Sequence, residues 1–201
     1  MTAVTSARPL NRVLPPAPLR AFVTMLALTG VLYVSEAYDQ VTGGQLDDDG
    51  IIPRTEGGLD GVLWAPLLHG GWDHLVANTL PFLLFGFLAM AAGIGRFVAV
   101  TAIIWIVGGL GVWLFAPPGA SHIGASGVIF GWLAFLLVRG FVARSLKQIG
   151  LAAVLFSFWG GLLWGVLPGQ PGISWQGHLF GALAGVLAAW LLVPKRDRAK
   201  A

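Results

Sequence analysis

The fold of this protein is decided by an apolar stretch, residues 148–194, which reads QIGLAAVLFSFWGGLLWGVLPGQPGISWQGHLFGALAGVLAAWLLVP. This stretch contains no Asp, Glu, Lys or Arg, and residues 74–138 contain only Arg96. Over all 201 residues, 56% are hydrophobic and 10% are charged, whereas a soluble domain usually has about 25% charged residues. A soluble chain of this size cannot bury so much apolar surface. We therefore exclude a soluble enzyme, a nucleic-acid-binding domain and a disordered protein.

Six segments have the length and composition of membrane spans, each of which needs about 20 mainly apolar residues. The predicted spans are Leu19–Tyr38, Asp73–Ala91, Arg96–Ala116, Ser126–Arg139 with an extension toward Val142, Gln148–Leu167 and Gly177–Pro194. The sequence thus predicts an all-α integral membrane protein with six transmembrane helices. Residues 1–18 form a short N-terminal segment, residues 19–194 the membrane domain and residues 195–201 a basic tail.

The basic residues predict the orientation of the chain, because Lys and Arg in short loops favour the cytoplasmic side. With both termini in the cytoplasm, eleven of the 12 Lys and Arg residues lie inside and only Arg54 lies outside. We expect a multi-pass integral membrane protein. The sequence makes no prediction about its oligomeric state.

Rare polar side chains fall at one depth in this arrangement, in the first turns of spans two, four and six. His74 and Asn78 begin span two, Ser126 begins span four and His178 begins span six. All three spans run inward from the outer face, so these side chains are predicted to lie at one level. Small residues spaced for close helix packing follow on spans four and six, and they are Gly127, Gly131, Gly177, Gly181 and Gly185.

A Ser and a His within hydrogen-bond distance form a nucleophile and its general base. His74, Asn78 and backbone N–H groups around Gly124 and Ala125 are then candidates to stabilise an oxyanion. Each residue also has a plainer interpretation: a serine at a helix start is commonly a cap, a lone membrane histidine can bind haem or quinone, and an asparagine can join two helices. The sequence contains no His-Glu-x-x-His motif and no cysteine, so it predicts neither a zinc protease nor a thiolate site.

The motifs together resemble those of the rhomboid family of intramembrane serine proteases, over a region from about Leu19 to Pro194. The match consists of Gly124-Ala125-Ser126-Gly127, of His178 followed by Gly181 and Gly185, and of His69, His74 and Asn78 as His-x4-His-x3-Asn. The chain departs from the family in two places: the first loop lacks the Trp-Arg pair of many members, and Phe130 stands where some members have Tyr.

The resemblance implies a rhomboid-like bundle and an endopeptidase whose nucleophile is Ser126 and whose general base is His178, with no third acidic residue. It implies that His74, Asn78 and the backbone at Ser126 bind the oxyanion, with His69 in a less direct role. The resemblance also implies a prokaryotic plasma membrane as the location. The expected substrates are transmembrane proteins in the lipid bilayer, cut on the extracytoplasmic side, and no metal or cofactor is expected. Two alternatives stay open: a catalytically inactive relative that binds membrane-protein clients, and a small transporter or channel.

Overall fold

The computed structural model describes residues 12–170 and 172–194, and over these residues it is all-helical apart from one isolated bridge between Ile51 and His122. Its helices are α1 (Pro18–Thr42), α2 (Glu56–Trp64), α3 (Trp72–Ala89), α4 (Ile94–Phe115), α5 (Ser126–Ala143), α6 (Leu146–Trp159) and α7 (Trp175–Leu192). A 3-10 helix, Gly160–Val166, continues α6. Residues 1–11 of the predicted N-terminal segment and the whole predicted tail, 195–201, lie outside the described residues.

Six helical segments are long and apolar enough to cross a membrane, the fifth being α6 together with the 3-10 helix after it, and each overlaps one of the six spans predicted from the sequence. The prediction of an all-α, six-span membrane protein is therefore confirmed. The helix ends follow local rules: Pro18 occupies the first turn of α1, where a missing N–H costs nothing, and Gly43 ends that helix with a φ of +85°. Pro81 lies inside α3, as membrane helices tolerate.

The short helix α2 was not predicted from the sequence. It lies in the connection between the first two spans, and it contains three glycines, which are poor helix formers. Local capping and tertiary contacts compensate for them. The Thr55 side chain accepts the Gly58 N–H at 3.0 Å, and the indole of Trp105 on α4 donates to the Val62 carbonyl at 2.8 Å. The first loop is thereby held against α4.

The α5 helix is the centre of the bundle: 67% of its span is buried inside the protein, against 17% of the span that begins with α6. It runs parallel to α7, and the two backbones meet through glycines. A Cβ added to Gly181 would overlap the Gly127 carbonyl, and one added to Gly185 would overlap the Gly131 carbonyl. This close approach sets the distance between the first turns of α5 and α7, where Ser126 and His178 lie.

Candidate active site

Ser126 and His178 are brought together across the α5–α7 contact. Ser126 is the first residue of α5 and His178 lies in the first turn of α7. The Ser126 Oγ and the His178 Nε2 are 2.9 Å apart, which is hydrogen-bond distance. His178 is only 8% exposed, so the pair lies within the protein rather than on its surface.

The other ring nitrogen of His178 decides which way this hydrogen bond runs. Nδ1 lies 3.0 Å from the carbonyl oxygen of Gly165, in the 3-10 helix that follows α6. A carbonyl can only accept, so Nδ1 carries the proton and donates it. The Nε2 atom of the neutral imidazole is then the acceptor for the Ser126 hydroxyl. Such a nitrogen is able to take the hydroxyl proton, with a backbone carbonyl orienting the ring.

Phe130, one turn after Ser126, stacks on the His178 ring. The ring centroids are 3.9 Å apart and the planes differ by 9°. Together with the Gly165 carbonyl, this contact restricts both the tilt and the rotation of the imidazole. Here a phenyl ring makes the stacking contact, at the position where some family members have Tyr.

The side chain of His74 reaches the neighbourhood of Ser126 because residue 124 is a glycine. The φ of Gly124 is +118°, and a Cβ added there would lie 2.8 Å from His74 Cε1, 3.0 Å from His74 Nε2 and 3.5 Å from Ser126 Oγ. This residue therefore has both a conformation that disfavours side chains and no room for one. The glycine keeps open the space in which the imidazole approaches the serine.

Asn78 lies one turn further along α3, and its side chain is held in place by its own helix. Its Nδ2 donates one hydrogen to the His74 carbonyl at 2.9 Å, which leaves the second Nδ2 hydrogen for another acceptor. Asn78 and His74 both line the cleft that contains Ser126 and His178. The N–H of Ser126, at the start of a helix, has no partner within that helix.

His69 contacts the residue directly before Ser126, which is a more direct role than the resemblance implied. Its Nε2 accepts the Ala125 N–H at 3.4 Å, and its ring meets the His74 ring edge-on at a centroid distance of 5.2 Å. The Ala125 N–H is thus directed to His69 rather than to the cleft. The signal that could have indicated this contact is the position of His69 in the His-x4-His-x3-Asn motif.

We expect His69 to make stability depend on pH. Burial, and next the charge of His74, lower the pKa of His69 from 6.5 to about 4. Because the unfolded chain takes up this proton at a higher pH than the folded chain does, the contribution of neutral His69 to the free energy of unfolding is fully present above pH 6.5. This contribution is lost as the pH falls through 4, and for a shift of this size it amounts to about 3 kcal/mol.

The change His69→Gln tests this expectation, because glutamine keeps an acceptor for the Ala125 N–H and does not titrate. Thermal unfolding in detergent should show a flatter pH dependence for His69→Gln than for the wild type between pH ~7 and ~4. Equal pH dependence in the two proteins would contradict the assignment, since the other histidines titrate in both.

One cleft, with a volume of about 910 Å³, is lined by all four polar side chains of the predicted site, which are His74, Asn78, Ser126 and His178. Its walls come from α3, from the loop before α5, from the 3-10 helix after α6 and from the loop before α7; among the lining residues are Pro81, Ser121, Leu162, Trp164 and Gln176. The cleft therefore lies between the second span and the end of the fifth. Within 12–170 and 172–194, no three His, Asp or Glu side chains converge in a way that could hold a metal ion.

Comparison with known proteins agrees with this architecture. Residues 57–195 match the family described as the Rhomboid domain. An uncharacterized protein of Mycobacterium tuberculosis is 52% identical over 89% of this chain and 78% of its own length, and one of Mycobacterium leprae is 51% identical over 87% and 72%. A protein of Bacillus subtilis named as a candidate rhomboid protease, YdcA, is 32% identical over 66% of each chain. The chain, a multi-pass membrane protein with this domain across most of its length, belongs to the rhomboid family.

Proposed function

We propose that this protein is an intramembrane serine endopeptidase that cleaves transmembrane segments of other membrane proteins. One observation carries the proposal: the His178 Nε2 lies 2.9 Å from the Ser126 Oγ while its Nδ1 donates to the Gly165 carbonyl. A serine whose hydroxyl faces the free lone pair of an oriented, neutral imidazole is the arrangement that activates a nucleophile. Membership of the rhomboid family supports the same activity.

In this mechanism the Ser126 Oγ attacks the scissile carbonyl carbon while His178 Nε2 takes the hydroxyl proton. The negative charge that develops on the carbonyl oxygen is stabilised by donors from His74, Asn78 and the N–H of Ser126. His178 then gives its proton to the leaving amine, which separates and leaves an acyl-enzyme. Water, deprotonated by the same nitrogen, attacks the ester carbon and restores the serine.

The cleft between α3 and the 3-10 helix after α6 is the route by which a transmembrane segment reaches Ser126. Its apolar walls, which include Pro81 and Leu162, suit a peptide that arrives from lipid. With both termini in the cytoplasm, as the distribution of basic residues favours, this cleft opens on the extracytoplasmic side. The membrane domain, residues 19–194, then contains the whole catalytic apparatus.

A fluorophosphonate probe tests the proposal, because it reacts covalently with an activated serine. Purified wild-type protein should be labelled, whereas Ser126→Ala and His178→Ala should not be. Ser157→Ala is a matched control, because the Ser157 hydroxyl donates to the Ala153 carbonyl on exposed α6, away from the cleft. Labelling that persists in Ser126→Ala would identify another nucleophile, and folded protein without labelling would favour the inactive client-binding alternative.

Gly124→Ala should reduce the labelling rate by about 10²-fold, the size expected when one oxyanion donor is lost. The added methyl group would force the His74 ring away from the serine, and the positive φ adds a backbone cost of about 1–3 kcal/mol. Gly93→Ala is the control: it has a φ of +96° and open space around its Cβ position, in the connection before α4. It should cost stability without slowing labelling. Equal labelling rates for Gly124→Ala and the wild type would rule out a role for the close approach of His74.

A further inference from the structure

A second Ser–His hydrogen bond joins the same two segments of the chain as the first. The His122 Nδ1 and the Ser174 Oγ are 2.7 Å apart. Each of these residues lies four positions before a member of the Ser126–His178 pair, with histidine and serine exchanged between the segments. The proposed function makes no use of this second pair.

The second hydrogen bond involves the serine that caps the start of α7. The Ser174 Oγ accepts the Gly177 N–H at 3.1 Å as the N-cap of the helix. The Ser174 Oγ still has a hydrogen to donate and a second lone pair with which to accept, so the tautomer of a neutral His122 ring sets the direction of the bond to Nδ1. His122 is 8% exposed, and burial lowers its pKa below the usual value, which favours that neutral ring.

Ser174 also contacts the backbone of the proposed general base. The His178 N–H donates to the Ser174 carbonyl at 3.1 Å. The position of Ser174 thus determines where the first turn of α7 begins, and the first turn in turn determines the position of the His178 ring. In the loop before α7, Gly169 and Gly172 have positive φ.

His122 is fixed independently of α7. Its N–H and carbonyl both bond to Ile51 in the first loop, at 3.0 Å each. Two residues later, the Gly124 N–H donates to the Ala65 carbonyl at 2.8 Å, at the end of α2. The segment before α5 is therefore attached to the first loop, which packs on α4. The His122 side chain extends from this attached segment to the start of α7.

We propose that His122 and Ser174 are positioning residues that hold the start of α7 in register with the start of α5, so that His178 stays within hydrogen-bond distance of Ser126. The inference rests on the proposed function. Both residues line the same cleft as Ser126 and His178, but their side-chain hydrogen bonds go to each other and to the Gly177 N–H, so the pair acts through the placement of the general base. A displacement of about 1 Å in a catalytic group can cost about 10²-fold in rate.

The test compares His122→Phe, which keeps a ring without a hydrogen-bonding nitrogen, with His122→Asn, whose side-chain amide can replace Nδ1 as an acceptor or as a donor. Fluorophosphonate labelling should slow by about 10²-fold in His122→Phe and stay within about threefold of the wild type in His122→Asn. Ser174→Ala should also slow labelling, and it removes the Gly177 cap as well. The double variant His122→Phe/Ser174→Ala should be no slower than the slower single variant, because both changes remove the same His122–Ser174 hydrogen bond. In cleavage assays the change should appear in kcat rather than in KM.

Wild-type labelling of folded His122→Phe, or equal defects in His122→Phe and His122→Asn, would overturn the inference. Hydrogen exchange of the amides in residues 175–181 provides a readout that does not depend on activity. Exchange should be faster in His122→Phe and unchanged in His122→Asn. A wild-type protein that is not labelled contradicts the proposed function alone, whereas unchanged exchange in His122→Phe contradicts the positioning role alone.

Discussion

Replacing Ser126 by alanine is expected to reduce the cleavage of a transmembrane substrate by about 10⁴-fold or more, which would be the largest effect of any single change in this protein. The alanine has no oxygen to attack the scissile carbonyl, so the acyl-enzyme cannot form. Folding should be affected little, because the Ser126 side chain has a single hydrogen bond, to His178, and lies at a cleft. The measurement is the cleavage rate of a transmembrane substrate in proteoliposomes, with the thermal unfolding temperature determined on the same preparation.

Two comparisons make this result specific. His178→Ala should give a similar loss, since residues that act as a unit are not additive, and the double variant should be no slower than the slower single variant. Ser157→Ala should cleave at the wild-type rate. Cleavage by purified Ser126→Ala at more than a trace of the wild-type rate would exclude Ser126 as the nucleophile.

The second large effect is expected on stability, from Gly185→Ala. A Cβ at this position would overlap the Gly131 carbonyl and would lie 2.9 Å from the Gly131 Cα. The obstacle is backbone rather than a flexible side chain, so α7 must move away from α5 as a whole. Overpacking of this kind costs about 3 kcal/mol, at the upper end of the usual range.

Unfolding of Gly185→Ala in detergent should therefore occur at a lower temperature, and fluorophosphonate labelling should fall with it as Ser126 and His178 separate. The matched control is Gly30→Ala on α1, where no atom lies within 4 Å of the added Cβ. An alanine there favours the helix by up to about 1 kcal/mol, so this variant should be at least as stable as the wild type. Equal stability of Gly185→Ala and Gly30→Ala would mean that α5 and α7 do not depend on backbone contact.

The membrane spans were predictable because lipid imposes a simple rule on composition. A helix that crosses a bilayer must be apolar over most of its length, and the charge-free residues 148–194 follow that rule without reference to any other part of the chain. The α2 helix was not predictable in the same way. It contains three glycines, and it forms because the Thr55 side chain caps its start and the indole N–H of Trp105 on α4 donates a hydrogen bond to its Val62 carbonyl.

Around the candidate site, too, some features were predictable from the sequence and others were not. The motifs identified Ser126, His178, His74 and Asn78 as the polar residues of the site, and they placed His69 nearby. No pattern indicated that the Gly165 carbonyl would orient His178, and the His-x4-His-x3-Asn motif placed His69 near the site without showing that it accepts the Ala125 N–H. A backbone carbonyl is present in every residue, so sequence cannot distinguish the one that lies against an imidazole.

By itself the sequence determined the number of spans, the helices that begin with polar residues and the glycines that let α5 and α7 approach each other. These properties depend on composition and on spacing within one helix, which are local. Only the tertiary structure decided that Ser126 Oγ and His178 Nε2 lie 2.9 Å apart, and that His122 and Ser174 form a second pair at 2.7 Å. A shift of a few tenths of an ångström between donor and acceptor is enough to weaken a hydrogen bond. The distance between Ser126 and His178 is set by contacts between the α5 and α7 backbones at glycines far apart in the chain, together with the loops that hold the starts of both helices.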